Sequence, residues 1–328
     1  RHPGPRAAQR RAGRSRGPGG PSTTRTVGIF GSAFVILAVV IIVLLSTLGG
    51  GGTASASLGR GIPTKVAPAS IVNGLANVPP SKFAEARLGG GQVVFVGGPV
   101  KKLSGQPSLT LNGKPLVVFV GAHYCPFCAA TRWPLAIALD QFGSFTGLGL
   151  TASSPVDFAP NTHSLDWSGA TYHSKYLAFS ETEETTNTCS KVVVNPRPPP
   201  AHICASLADY GILQRPDALA RRLTSKYDSP TYWGQNAGGI PFIDIGNRFI
   251  ENGAPFPGSL TAYPPISLHG YSWAEIVNSL QAPIAGSPGQ AILGAANVYM
   301  AALCEVTGGR PGSVCNQSYV KFAAKTLG

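Results

Sequence analysis

The chain has 328 residues, with 26 Lys and Arg against 14 Asp and Glu, a formal net charge of +12. Seven of the basic residues fall in residues 1–25, which hold no acid, leaving 19 basic against 14 acidic residues in the rest. With no basic helix and no interleaving of aromatic and basic side chains, this distribution argues against nucleic-acid binding, and the length is ample for a core.

Residues 1–26 form a basic tail, and residues 27–48, VGIFGSAFVILAVVIIVLLSTL, hold no charge. As a helix this span reaches roughly 33 Å, enough to cross a hydrocarbon core of about 30 Å. The arginines before it predict a cytoplasmic N-terminus, with everything after residue 48 outside the cell membrane. Ala54-Ser55-Ala56 resembles a cleavage site, but the apolar segment is long for a secretory signal, so an uncleaved single-pass anchor is expected. Residues 49–80, rich in Gly, Ala, Ser and Pro, read as a flexible tether. The extracytoplasmic domain is then expected over residues 81–328, opening with a short helix over Lys82 to Arg87 and a strand over Gln92 to Val96.

The most informative stretch follows. Asn112-Gly113 between apolar runs predicts a hairpin whose second arm, Leu116 to Val120, is a buried strand. After Gly121 come Cys125 and Cys128, then a helical pattern ending at Gly143. Helix-start amides and the helix dipole favour an anion, so Cys125 is expected to be the nucleophilic thiolate of a thiol–disulfide redox site. Cys128, one turn on, shares a stripe with Leu135, Leu139 and Phe142 and should point inward while Cys125 faces solvent. Pro126 suits the first helical turn, and Pro134 should kink the helix. Leu148 to Ala152 and Lys175 to Phe179 read as strands, with a polar loop-like segment, Ser154 to Thr171, between them. Residues 181–205 read as an irregular excursion, and Ser206 to Lys226 as one or two helices interrupted near Pro216. In GIPFIDIGNRFIE, Ile240-Pro241 precedes a strand over Phe242 to Ile245, a tight Gly246-Asn247 turn and a return strand.

A strand, a CxxC at a helix start and a later Ile-Pro before a strand together resemble the thioredoxin superfamily. That resemblance implies an α/β thioredoxin-like fold with a helical or irregular insertion at about 154–238. It makes Cys125 the nucleophile, Cys128 the resolving thiol and Pro241 a cis-proline, with the backbone of Ile240 pairing with an extended substrate segment. The segments GAHYCPFCAATRWPLAIALDQFG, GGIPFIDIGNRFI and GAANVYMAALCEVTGGRPGSVC are similar to a prokaryotic family of membrane-anchored thioredoxin-like proteins catalogued as a domain of unknown function. One departure concerns the carboxylate that cytoplasmic thioredoxins bury near the resolving cysteine, reached from the strand before the motif. Leu116 to Val120 holds no acid, so that base is absent or comes from elsewhere. His123, two residues before Cys125, is a candidate modulator of the thiolate.

Six cysteines allow fifteen pairings; reserving Cys125–Cys128 leaves three for the others. The sequence-local choice is Cys189–Cys204 and Cys304–Cys315, each worth on the order of 3 kcal/mol if unstrained and suited to an oxidising compartment. The other histidines have no metal-ligand spacing and no second CxxC exists, so no metal is expected. No Gly-rich phosphate loop follows a strand, and no organic cofactor is expected. Asp140 and the Glu181, Glu183, Glu184 cluster read as solvated charge, and the four tryptophans as packing residues. The resulting expectation is a membrane-anchored thiol–disulfide oxidoreductase, oxidase or isomerase rather than reductase. It would act on extracytoplasmic protein thiols and disulfides and be reset by an unidentified membrane redox partner. The competing expectation is a non-catalytic binding module of the cell envelope with structural disulfides.

Overall fold

A computed structural model describes residues 56–91, 100–255 and 268–327. The basic tail, the expected span 27–48 and the expected strand Gln92 to Val96 lie outside the described residues, among which no helix is long and apolar enough to cross a membrane. In chain order, strand β1 (Lys65–Val66) precedes helices α1 (Ala69–Ala76) and α2 (Pro80–Ala86). Strands β2 (Lys101–Lys102), β3 (Thr110–Leu111) and β4 (Lys114–Gly121) lead to helix α3 (Pro126–Asp140). Asn112 and Gly113 both take positive φ, 52° and 75°, as a two-residue hairpin turn requires, and Leu111 pairs with Lys114 across it. Strands β5 (Gly143–Thr146), β6 (Gly149–Ala152), β7 (His163–Asp166), β8 (Thr171–Ser174) and β9 (Ala178–Glu183) come next. Then follow β10 (Thr185–Cys189), β11 (Val192–Val194), β12 (His202–Cys204), β13 (Tyr210–Ile212) and the helices α4 (Ala218–Tyr227) and α5 (Pro230–Trp233). The chain closes with β14 (Phe242–Ile245), β15 (Phe249–Asn252) and helices α6 (Trp273–Gln281), α7 (Pro288–Val306), α8 (Gly312–Cys315) and α9 (Ser318–Ala323).

A six-stranded sheet organises these elements, in the order β2-β15-β14-β4-β3, with β9 running parallel along β4 beyond the short β3. Strand β4 is a continuous apolar run because both its faces are covered. Val117 and Phe119 join the core that contains α3 and α7, while Leu116, Val118 and Val120 pack with Leu223, Tyr227 and Trp233 from the α4–α5 side. Helix α7 is buried over most of its length. It approaches the chain near α2 closely enough that a Cβ on Gly294 would stand 2.1 Å from the Gly89 nitrogen. The cysteine pairs Cys189–Cys204 and Cys304–Cys315 are both formed. The first ties β10 to β12, and the second ties α7 to α8.

Two boundaries differ from the expected ones. The tether was expected to run to Pro80, yet β1 pairs with β6 and α1 buries Ile71 and Leu75. Two buried positions in an eight-residue helix are too few to raise a periodic signal against the Ala, Asn and Pro around them. The segment 154–238 was expected to be helical or irregular. It holds strands β7 to β13, with only α4, α5 and short 3-10 turns as helix, and one of those strands, β9, belongs to the central sheet. Its sequence AFSETE lacks apolar alternation because two of its inward positions, Glu181 and Glu183, are carboxylates, so a period-two hydrophobic pattern never forms. Helix α3 runs on through Pro134, and α4 starts just after Pro216, with Asp217 accepting from the Ala220 N–H.

Several carboxyls are shielded from water and form no ion pair among the described residues. Burial raises the carboxyls of Asp140, Asp157 and Asp244 to about 7, and raises Glu251, which accepts a hydrogen bond from the Tyr299 hydroxyl at 2.9 Å, well above its usual range. Each folded carboxyl therefore binds its proton more tightly than the unfolded one does, so stability falls as pH rises through about 4 to 7. Asp166, held below the usual range, works in the opposite sense only at more acid pH. The melting temperature is expected to be higher at about pH 5 than at about pH 8; calorimetry finding the reverse order would contradict this assignment of buried, protonated acids.

Candidate active site

Strand β4 delivers the chain to Gly121, and Cys125 caps α3 with extended backbone, φ −79° and ψ 119°. Its Sγ accepts the Cys128 N–H at 3.3 Å, one of the amide donors that a helix start leaves without an intrahelical acceptor. On another side the thiol meets the Ile240 carbonyl oxygen at 3.6 Å. Ile240-Pro241 is a cis peptide, and β14 beyond it pairs antiparallel with β4, placing Phe242 opposite Val120. The four residues that the sequence singled out for chemistry, Cys125, Cys128, Ile240 and Pro241, are thus drawn to one end of the β4–β14 pair. Both cysteines are thiols.

Cys128 points inward, as expected, and is fully buried. Gly121 is required there: a Cβ would lie 3.0 Å from Cys128 Sγ and 2.7 Å from the Phe119 ring. Burial pushes the Cys128 thiol well up; its hydrogen bond with Cys125, the Cys125 charge and Glu183 add to the rise, and Arg132 opposes it. Cys125 is less open than its expected solvent-facing position implies, at 4 % exposure. Its flanks come from the segment after β6. Tyr124 stacks on Tyr210 with centroids 4.5 Å apart, and Phe127 packs on Phe158 at 5.3 Å. Burial raises the Tyr124 and Tyr210 phenols, and the Cys125 charge adds to each.

His123 is buried, and its Nε2 lies 2.9 Å from Asp166 Oδ1. The ring's polar contact is therefore to β7 rather than to either sulfur. Burial would raise Asp166, but the hydrogen bond and charge of His123, with help from Ser168, hold it below the usual carboxylate range.

The group closest in kind to the missing base comes from β9. Glu183 pairs in register with Gly121, is fully buried, and receives Arg132 Nε at 2.7 Å and Nη2 at 2.6 Å, a bidentate pair. Arg132 Nη2 also donates to the Ala122 carbonyl at 2.9 Å. The reading of Glu183 as solvated surface charge is thus corrected. So is that of Asp140, which is largely shielded and raised to about 7. The signal present in the sequence was spacing: Glu181 and Glu183, two residues apart in a strand, must share a face.

Breaking a buried pair from one side strands a charge, so Arg132→Met is expected to cost about 3–5 kcal/mol, while Arg132→Met with Glu183→Leu recovers much of the loss. Urea unfolding of the two variants checks this; equal destabilisation by both would mean that the stranded charge is not the cause.

Residues 100–197 match the model of a family described as Domain of unknown function (DUF929). The match takes in Cys125, Cys128, Arg132, Asp166 and Glu183 and stops before Ile240 and Pro241. No curated protein and no solved structure matches the chain.

Proposed function

We propose that the chain is a thioredoxin-like thiol–disulfide oxidoreductase that works outside the cytoplasm on protein substrates, with Cys125 as nucleophile and Cys128 as resolving thiol. One observation carries the reading: Cys125 Sγ sits on the helix-start amide of Cys128 at 3.3 Å and beside the Ile240 carbonyl at 3.6 Å. An amide donor aimed at the sulfur favours its anion, and a backbone carbonyl next to it offers an extended substrate chain a partner. The buried Cys128 stays a thiol until Cys125 is engaged, which keeps the order of attack fixed.

In the reducing direction the Cys125 thiolate attacks a substrate disulfide, forming one mixed S–S bond and releasing one substrate thiolate. Cys128, giving up its proton, then attacks Cys125 Sγ, closing Cys125–Cys128 and releasing the second substrate thiolate. Two electrons pass from the cysteine pair to the substrate. Oxidation of a substrate dithiol is the same path reversed, and a membrane redox partner then resets the pair. Isomerisation needs only the mixed-disulfide stage. The bonds Cys189–Cys204 and Cys304–Cys315 fit an oxidising compartment and favour oxidation or isomerisation. Membrane anchoring through residues 27–48 belongs to the same proposal.

The 4 % exposure of Cys125 favours a second reading, an envelope binding module in which the CxxC is structural. Trapping separates the two. The Cys128→Ser protein, offered an unfolded substrate protein with disulfides, is expected to accumulate a mixed disulfide through Cys125, and the Cys125→Ser protein none. If neither variant traps substrate and iodoacetamide labels neither cysteine in the native protein, the binding module stands.

A further inference from the structure

The first described residues build a face that the thiol chemistry does not use. The 3-10 turn Ala56–Gly59 lies on the strands that the Cys189–Cys204 bond secures. A Cβ on Gly59 would stand 2.1 Å from the Cys189 carbonyl oxygen and 2.8 Å from Val192 Cγ2. Just beyond the turn, the Gly61 N–H donates to Thr188 Oγ1 at 3.1 Å, and Asn187 Nδ2 donates to the Ile62 carbonyl at 2.9 Å. Alternate side chains of a strand share a face, so Val194 emerges on the side of β11 where Val192 meets the turn. Val194 is 50 % exposed, and Leu58, on the turn itself, is 43 % exposed.

The charges around these two apolar side chains have one sign. Residues 56–64 hold Arg60, residues 185–206 hold Lys191 and Arg197, and neither stretch holds an acid. All three basic residues are exposed, and none forms an ion pair among the described residues. Asp209, the next acid along the chain, keeps its Oδ2 on the Ser206 hydroxyl at 2.7 Å. Chain length limits where this face can go. Ala56 stands eight residues beyond the end of the apolar span 27–48, a separation of at most about 28 Å. With that span in a bilayer, the turn stays close to the lipid surface.

We propose that this face docks on the membrane itself, with Leu58 and Val194 entering the head-group boundary and Arg60, Lys191 and Arg197 held by anionic lipid head groups. The proposal rests on the reading of residues 27–48 as an anchor, and adds what an anchor alone lacks, a fixed orientation. Basic side chains at an anionic surface and shallow apolar insertion both add to binding, and a short tether keeps the effective concentration of lipid high. Beneath the face, Val156, Cys189, Val192, Cys204 and Tyr210 pack together, and Tyr124, next in sequence to Cys125, rests on the same small core. Docking therefore sets the height and orientation of the cysteine pair relative to the bilayer, where a membrane redox partner would meet it.

The test is tryptophan fluorescence of the full chain reconstituted in phosphatidylcholine vesicles, with or without phosphatidylglycerol, in which brominated lipid quenches rings that reach the bilayer. The probes are Val194→Trp and, as control, Leu111→Trp, each read after subtraction of the unsubstituted chain. Leu111 is also well exposed but pairs with Lys114 at the start of β4, whereas the strands leading to Val194 leave from Glu183, paired with Gly121 at its end. With phosphatidylglycerol present, quenching at Val194→Trp is expected to be at least about threefold that at Leu111→Trp. The difference is expected to vanish at about 0.5 M salt and in Arg60→Glu/Lys191→Glu/Arg197→Glu, whose melting temperature stays unchanged. Flotation of the vesicles reads the anchor separately. A chain that floats while both probes quench equally overturns the docking and leaves the anchor standing; a chain that stays in solution overturns both. Quenching at Val194→Trp that neither salt nor charge reversal reduces overturns the assignment to anionic head groups.

Discussion

The Arg132–Glu183 pair is the interaction on which the site's geometry depends. It joins the helix that carries both cysteines to the strand lying parallel to β4, and Arg132 Nη2 at the Ala122 carbonyl ties in the turn between β4 and the helix. Both side chains are wholly removed from water. Taking two charges out of water is expensive, and a bidentate geometry with a further hydrogen bond is what makes it tolerable. Such a pair adds little net stability over apolar packing. It does forbid sliding of α3 against β9, since any shift would break two short hydrogen bonds at once. Cys128, packed against Gly121, feels both charges, Arg132 lowering its thiol and Glu183 raising it.

That arrangement divides the labour between the two cysteines. Cys125 has an amide donor at its sulfur and a carbonyl nearby, and is 4 % exposed. Cys128 is fully buried, and that burial holds its thiol well above the usual range. From the segment that runs from β6 into β13, Tyr210 and Phe158 pack on Tyr124 and Phe127, chain neighbours of Cys125. That segment's Cys189–Cys204 bond packs with Val156 and Tyr210 in a small core of its own, against which Tyr124 also rests. On the proposed function, a substrate chain pairing with Ile240 would meet this segment, and its rigidity would bear on which substrates reach the sulfur.

What the sequence made legible was local. The β4 strand, the CxxC at a helix start, the Asn112-Gly113 turn, the β14–β15 hairpin and the two short-range disulfides each announce themselves within about fifteen residues. Glu183 did not, because its partner lies 51 positions away and a carboxylate in a strand looks solvated until an arginine is placed against it. For the same reason β9 was legible only at its start, where the expected strand Lys175 to Phe179 overlaps it; beyond that its inward positions are Glu181 and Glu183 rather than an apolar alternation. His123 was noticed for its nearness to Cys125 in sequence, but its partner Asp166 comes from β7, and only the fold reveals that. At the N-terminal edge, α1 contributes just two buried side chains, too few to separate folded chain from tether.

On the proposed function, Cys125 and Cys128 form a reversible couple. Equilibration of the full chain in glutathione buffers of graded potential, read as the mass added by thiol alkylation, measures it directly. A single two-electron transition at about −200 mV or above, abolished by Cys125→Ser, is expected. Cysteines that neither oxidise nor reduce across the whole range would contradict it.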